Sequence, residues 1–119
     1  MSALTHVLEQ AHGVSGNLDA LALSEVYAVK VPQMAQILGV SRQALLKTPT
    51  SDRLQPKMRQ LEQLFVRIRD LTGSEVNARI WLKSGHPDFG GKAPIEYLTE
   101  SNFEPVEDLV LAIEMGVPR

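Results

Sequence analysis

The sequence predicts an all-α protein, and three observations lead to that class. Apolar residues recur at helical spacing, most clearly at Leu61, Leu64, Phe65, Ile68 and Leu71. Prolines and glycines stand where the predicted helices begin and end. No segment alternates apolar and polar residues with the period of two that a half-buried strand requires. The 119 residues suit one compact domain or two small helical units that share a core.

Two helices are predicted before residue 31. Residues 1–16 are weakly patterned and predict only a short or frayed helix. The second helix has Asn17 as its cap, because an asparagine side chain accepts hydrogen bonds from the free N–H groups of a first turn. Its apolar positions are Leu18, Leu21, Ala22 and Val26.

Residues 31–48 predict a helix-turn-helix. Pro32 begins the first helix, and Gly39 supplies the positive φ that the turn requires. Ser41 then caps the second helix, Arg42–Lys47. The side chains expected to pack between the two helices are Met34, Ala35, Leu38, Val40 and Leu45.

The rest of the chain predicts one long helix and three shorter ones. Residues 48–55 read as a loop, Pro56 begins the long helix and Gly73 ends it. Ser74 caps the next helix, and residues 84–93 form a glycine-rich loop. The last two helices begin at Pro94 and Pro105. The residues expected to face inward are Val76, Ile80 and Trp81 in the helix that Ser74 caps. In the last helix they are Val106, Leu109, Val110 and Ile113.

Charge is distributed unevenly along the chain. Residues 1–29 carry three acidic and no basic residues, residues 30–69 carry eight basic and two acidic residues, and residues 70–119 carry four basic and nine acidic residues. The net charges are therefore −3, +6 and −5. A basic middle between acidic flanks indicates that only the middle meets an anionic partner.

The second helix of a helix-turn-helix enters the DNA major groove with its first residues against the bases. Arg42 and Gln43 hold that place here, and they can bond bidentately to guanine and adenine. Lys47 and Arg53 are predicted to contact phosphates. Lys57 and Arg59 are weaker candidates for the same role.

Nothing in the sequence predicts catalysis, a metal site or a cofactor. His6, His12 and His86 are scattered, and no serine has a recognisable base beside it. Gly85, Gly90 and Lys92 lack the spacing of a phosphate-binding loop. The chain has no cysteine, no signal peptide and no apolar run long enough to span a membrane, so a cytoplasmic, non-enzymatic protein is expected.

The C-terminal half contains an ordered set of residues that is typical of one known domain. They are Ala78, Trp81, Leu82, Pro87, Gly90, Gly91, Pro94, Leu98, Thr99, Val106, Leu109, Ile113 and Gly116. In this set the chain resembles the toxin-binding domain of the Xre/MbcA/ParS antitoxin family. The family usually has glycine three residues after the threonine, whereas this chain has Asn102. Asparagine tolerates the left-handed backbone that a glycine would adopt there.

This resemblance implies a type II antitoxin that neutralises an NAD-consuming toxin of the RES or ADP-ribosyltransferase-like kind by covering its active site. It also implies that the complex represses its own operon through the helix-turn-helix. The predicted toxin-binding residues are those at the end of the last helix and in the tail: Glu114, Met115, Gly116, Val117, Pro118 and Arg119. Acidic residues there suit a toxin pocket that binds NAD phosphates with basic groups.

The expected organisation is a helical region over residues 1–72, with the helix-turn-helix at about 31–48, and a toxin-binding domain over residues 73–119. A homodimer is expected because a chain this short buries a limited share of its surface. Its interface is open between the N-terminal helices and the long helix. Two alternatives also stay open: a stand-alone helix-turn-helix transcriptional regulator with a C-terminal dimerisation domain, and an interaction module that has lost DNA binding.

Overall fold

A computed structural model describes residues 16–116, and the regular elements in that range are all helical, which confirms the predicted class. The weak helix predicted within residues 1–16 and the tail residues Val117–Arg119 lie outside the described residues, apart from Gly16. The elements are α1 (Ala20–Tyr27), α2 (Val31–Leu38), α3 (Arg42–Lys47), α4 (Gln55–Thr72), α5 (Glu75–Lys83), α6 (Pro94–Thr99) and α7 (Glu104–Glu114), with 3-10 turns at Asp52–Leu54 and Pro87–Phe89.

The chain divides into two units, Met1–Gln63 and Leu64–Arg119. The first contains α1 to α3 and the first half of α4, and the second contains the rest of α4 with α5 to α7. The division falls inside α4, whereas the boundary predicted after residue 72 coincides with the end of that helix.

The cap of α1 differs from the prediction. The helix begins at Ala20, so the capping position falls to Asp19, whose carboxylate accepts hydrogen bonds from the N–H groups of Leu21 (2.8 Å) and Ala22 (3.3 Å). Asn17 instead donates to the carbonyl oxygen of Thr50 (3.1 Å) and to Asp52 Oδ1 (3.0 Å). Both residue types cap well, and it is the helix start that decides between them.

Two buried side chains of the first unit form hydrogen bonds to segments that are distant in sequence. Tyr27 is fully buried, and its hydroxyl donates to the carbonyl oxygen of Leu61 (2.6 Å). The buried amide of Gln55 accepts from the N–H of Leu18 (2.9 Å) and donates to the carbonyl oxygen of the same residue (3.0 Å). It also donates to the carbonyl oxygens of Thr50 and Ser51 (3.3 Å each). Both side chains satisfy their polar atoms within the core.

In the second unit, α5 faces the core with a different side from the one predicted. Val76 and Ile80 are 58% and 59% exposed, whereas Ala78 and Leu82 are fully buried. Each pair has the i, i+4 spacing of one helix face, so the apolar pattern alone does not distinguish them. Trp81, also predicted to face inward, is half-buried.

Two apolar stripes lose burial at their C-terminal ends. Leu71 at the end of α4 and Ile113 at the end of α7 are partly exposed, although the residues before them on each stripe are buried. The buried residues of these stripes are Leu61, Leu64, Phe65, Ile68, Val106, Leu109 and Val110. The predicted faces of α4 and α7 are therefore correct except in the last turn of each helix.

The left-handed residue after α6 is Ser101 (φ 58°), not Asn102 as the resemblance suggested. The N–H of Asn102 donates to the carbonyl oxygen of Tyr97 (2.9 Å), and that of Ser101 donates to the carbonyl oxygen of Leu98 (2.9 Å). This pair of bonds is a Schellman motif, in which the residue just after the helix adopts the left-handed conformation. The turn thus forms one residue earlier than expected.

The loop from residue 84 to 93 folds back tightly on itself. The N–H of His86 donates to the carbonyl oxygen of Lys92 (3.1 Å), and the N–H of Gly91 donates to that of His86 (3.0 Å). A Cβ added at Gly85 would lie 2.4 Å from the carbonyl oxygen of Gly91. Glycine is therefore required at position 85, because the backbone of Gly91 approaches it closely. Gly90 and Gly91 themselves adopt positive φ in the turn that brings the chain back.

Replacement of Gly85 by alanine is expected to lower the free energy of unfolding by about 2 kcal/mol, because the backbone around Gly91 must shift to accept the methyl group. The measurement is urea denaturation followed by the fluorescence of Trp81, the only tryptophan. Gly90→Ala is the matched control: the methyl group meets open space and only the positive φ opposes it, at a cost of about 1 kcal/mol. An equal effect of the two substitutions would contradict the close-contact explanation.

Candidate functional site

Two short helices joined by a turn, α2 and α3, lie where the sequence predicts the helix-turn-helix. α2 is followed by its C-cap Gly39 (φ 72°), and the N–H of Val40 donates to the carbonyl oxygen of Ala35 (3.0 Å). Ser41 then caps α3, its hydroxyl accepting from the N–H of Ala44 (3.0 Å). Ala35 and Leu45 are buried between the helices as expected, whereas Val40 is half-exposed.

The predicted DNA-contacting residues of α3 share one exposed face. Arg42, Gln43 and Lys47 are all exposed, and Gln43 and Lys47 are one turn apart on this face. Leu45 is the one residue of α3 whose side chain is buried, so it anchors the helix to the unit. The side of α3 that carries Arg42, Gln43 and Lys47 is exposed along the whole helix.

Arg53 lies beside α3 rather than on it. It is exposed on the 3-10 turn Asp52–Leu54, whose start is capped by the hydroxyl of Ser51. A shallow surface groove is lined by Arg53 and by residues of α3 and its flanks: Val40, Ala44, Thr48, Ser51 and Leu54. The structure thus brings all four predicted DNA contacts to α3 and its immediate neighbourhood.

Of the two weaker candidates, Lys57 donates its ammonium hydrogen to the carbonyl oxygen of Leu38 (3.4 Å). Leu38 is the last residue of α2, where a cation interacts favourably with the helix dipole. Lys57 therefore stabilises the turn of the helix-turn-helix from α4. Arg59 is exposed on α4.

In the second unit, α7 presents a stripe that changes from acidic to apolar. Four exposed residues of α7 and its C-cap recur at intervals of four, three and four, which places them on one side of the helix. They are Glu104, Asp108, Leu111 and Met115. Leu111 and Met115 are 48% and 69% exposed, so the apolar end leads directly into the predicted toxin-binding tail. We call these four residues the α7 stripe.

The sequence prediction included Met115 but missed Leu111. A signal for it was present, since Leu111 is a large apolar residue that does not fit the buried spacing of Val106, Leu109 and Val110. The same reasoning applies to Leu46 on α3, which is 46% exposed next to the buried Leu45. Apolar residues in excess of one helical stripe indicated both positions.

Glu114, a predicted toxin contact, forms an ion pair with Arg67 of α4. The guanidinium donates through Nε to both carboxylate oxygens (3.2 and 3.1 Å) and through Nη2 to one of them. The hydrogen bonds from Arg67 lower the pKa of Glu114, and the same bonds raise the pKa of Arg67. This bidentate pair attaches the last turn of α7 to α4. Gly116 (φ 69°) follows as an exposed turn residue.

Four half-buried rings line the folded-back loop and its neighbours. Trp81 meets His86 edge-on with ring centroids 6.3 Å apart, His86 lies 5.8 Å from Phe89, and Phe89 lies 4.6 Å from Tyr97. The Lys92 ammonium lies 4.4 Å from the Tyr97 ring centroid and pairs with Glu100 (2.6 Å), which raises the pKa of Lys92. These contacts attach the loop to α6 and to the ring of Trp81 on α5.

Other site chemistry was also sought in the described part of the chain. Residues 16–116 contain no group of three or more histidine or acidic side chains placed to hold a metal ion. No helix within that range is long and apolar enough to cross a membrane.

Comparison with known protein families identifies the second unit. The model of the antitoxin Xre/MbcA/ParS C-terminal toxin-binding domain matches residues 60–116, a range that begins within α4 and contains α5, α6 and α7. Comparisons with curated proteins and with solved structures find no significant match.

Glu114→Gln is expected to lower the free energy of unfolding at pH 7 by about 0.5 kcal/mol, the ordinary size for an ion pair that is one-third exposed. The folded-state pKa of Glu114 lies below its usual 4.5, so the stabilisation is present above that pH and is lost as the pH falls through the lowered pKa. Urea denaturation of both proteins from pH 7 to about pH 3 measures this.

Asp108→Asn serves as the control, because it removes a carboxylate from the same helix without touching the pair with Arg67. The difference between Glu114→Gln and the wild type should shrink on acidification. A difference that stays constant with pH would rule out a charge-dependent contribution.

Proposed function

Residues 60–116 of this chain belong to the Xre/MbcA/ParS family of antitoxin toxin-binding domains, and from this we propose that the chain is the antitoxin of a type II toxin–antitoxin pair. The family match is the observation that carries the proposal. The cognate partner is a toxin that consumes NAD, of the RES or ADP-ribosyltransferase-like kind. The antitoxin itself has no catalytic role, acts in the cytoplasm and works by binding.

Toxin neutralisation is assigned to the end of α7 and the tail that follows. The exposed Leu111 and Met115 supply an apolar anchor of the kind that a protein interface buries. Glu104 and Asp108 extend the α7 stripe with negative charge, which complements a toxin pocket lined with basic groups for the phosphates of NAD. Gly116, Val117, Pro118 and Arg119 then enter the toxin's active-site cleft and exclude NAD.

Repression of the chain's own operon is assigned to the exposed side of α3 that carries Arg42, Gln43 and Lys47, which we call the α3 face, together with the neighbouring Arg53. Arg42 and Gln43 read base edges in the major groove, while Lys47 and Arg53 bind phosphates and set the position of the helix. The positive charge of residues 30–69 supports this assignment. Helix-turn-helix proteins read paired half-sites as dimers, so the binding species is a homodimer.

Removal of Gly116–Arg119 is expected to abolish neutralisation while the fold survives, because these residues follow the end of α7. The test is co-expression with the toxin encoded by the adjacent gene, read as colony counts and as the mass of the purified complex. Leu111→Asp is expected to reduce complex formation at least tenfold, since it places a charge on the apolar anchor.

Val76→Asp is the matched control for Leu111→Asp, because Val76 is also an exposed apolar residue (58% against 48%) but belongs to a different helix, α5. It should leave neutralisation intact. Full rescue of growth by the truncated chain would refute the role of the tail, and equal losses from the two aspartate variants would refute the role of the stripe.

Arg42→Ala is expected to weaken binding to the DNA upstream of the chain's coding sequence by about 10-fold or more, since a bidentate base contact contributes about 1–3 kcal/mol. A gel-shift titration measures this. Arg59→Ala is the comparison, because it removes the same charge from α4, where the sequence predicts at most a phosphate contact and no base contact. Equal effects of the two variants would reduce Arg42 to a non-specific electrostatic role.

A further inference from the structure

One apolar side chain lies in the middle of the α3 face. Leu46 is 46% exposed, although its neighbour Leu45 is fully buried. At about 100° of rotation per residue, Leu46 lies about 40° from Arg42 and about 60° from Gln43 around the helix. The two residues assigned to base reading therefore flank it on either side.

Leu46 does not belong to the buried core of the first unit. The one buried side chain of α3 is Leu45, which lies about 100° from Leu46 around the helix. The groove beside α3 does not include Leu46 either, because Ala44 and Thr48 line it from another side of the helix. The leucine is thus presented outward, on the face that carries Arg42, Gln43 and Lys47.

We infer that Leu46 reads a thymine by packing against its C5-methyl group. The inference rests on the proposed DNA binding of α3 and adds a specificity determinant to it. The methyl group of thymine is the one apolar feature that a base pair displays in the major groove, where the other base-edge groups donate or accept hydrogen bonds. A leucine held between an arginine and a glutamine on the entering face meets that feature while its neighbours bond to adjacent bases.

The consequence is a recognition sequence with a required thymine next to the bases read by Arg42 and Gln43. Leu46 contributes no charge, so its contribution is independent of salt, unlike that of Lys47 or Arg53. The thymine methyl group also distinguishes A·T from T·A at that position, a distinction that phosphate contacts cannot supply.

The test begins with duplexes selected by the wild-type chain from a random-sequence pool. Each thymine of a selected duplex is replaced in turn by deoxyuridine, which removes the methyl group and keeps every hydrogen-bonding group. The wild-type chain is expected to bind about fourfold more weakly at one such position in each half-site, the value of burying one methyl-sized group. Leu46→Ala is expected to bind the thymine and deoxyuridine duplexes equally well.

Two further variants separate this role from others. Arg42→Ala should weaken binding to both duplexes while the fourfold ratio between them persists, because it removes a different base contact. Ile80→Ala truncates an aliphatic side chain of greater exposure on α5 and should change neither the affinity nor the ratio. Alanine favours helix, so Leu46→Ala is expected to keep the fold, and circular dichroism checks this.

The possible failures are distinct. If no thymine is sensitive to the loss of its methyl group, or if Leu46→Ala keeps the fourfold ratio, the reading by Leu46 is overturned while DNA binding stands. If the wild-type chain selects no duplex from the pool, the proposed DNA binding fails and this inference fails with it. A variant of Leu46 that loses toxin neutralisation but keeps the ratio would assign the leucine to a protein contact instead.

Discussion

The N-terminal unit depends on one buried side chain, the amide of Gln55. It holds both backbone polar groups of Leu18 and two carbonyl oxygens of the turn before α4. An amide buried without such partners costs about 1–3 kcal/mol, so α4 can begin here only with the segment around Leu18 alongside. The contact joins positions 37 residues apart and closes the part of the chain that contains α1, α2 and α3. The helix-turn-helix therefore forms inside a loop whose two ends are fixed.

This closure explains how a helix as short as α3 can be exposed on most of its surface. Six residues do not form a stable helix in water alone. Here the turn at Gly39, the cap at Ser41 and the buried Leu45 define α3 from its start and from one side. The remaining side chains of α3 are exposed, which is why basic, amide and aliphatic groups can occupy the same outward face. The residues that stabilise the unit therefore differ from those proposed to bind DNA.

Local signals in the sequence were enough for the helix boundaries but not for the faces and long contacts. Pro32, Gly39, Ser41, Gly73 and Ser74 mark helix ends by backbone rules that act over a few residues, and the structure has them there. The prediction of the buried side of α5 was wrong because two pairs of residues fit the same helical spacing. Tertiary packing buries Ala78 and Leu82 and leaves Val76 and Ile80 exposed. The contact of Gln55 with Leu18 has no local signature. The exposed Leu46 and Leu111 were visible only as apolar residues in excess of one stripe.

The charges of the α7 stripe and of the α3 face give a physical reason why the two faces would select different partners, the proposed toxin and the proposed DNA. The α7 stripe carries Glu104 and Asp108 beside its apolar end, and the ion pair with Arg67 keeps Glu114 close to it. A face with this charge repels the phosphates of DNA, so the apolar Leu111 and Met115 stay available to a protein. On α3 the exposed Leu46 lies between Arg42 and Lys47. The positive charges of these two residues attract phosphates, whereas the negative charges of the α7 stripe repel them. In the proposed function, each face thus uses an apolar side chain for contact and its surrounding charge to select the class of partner.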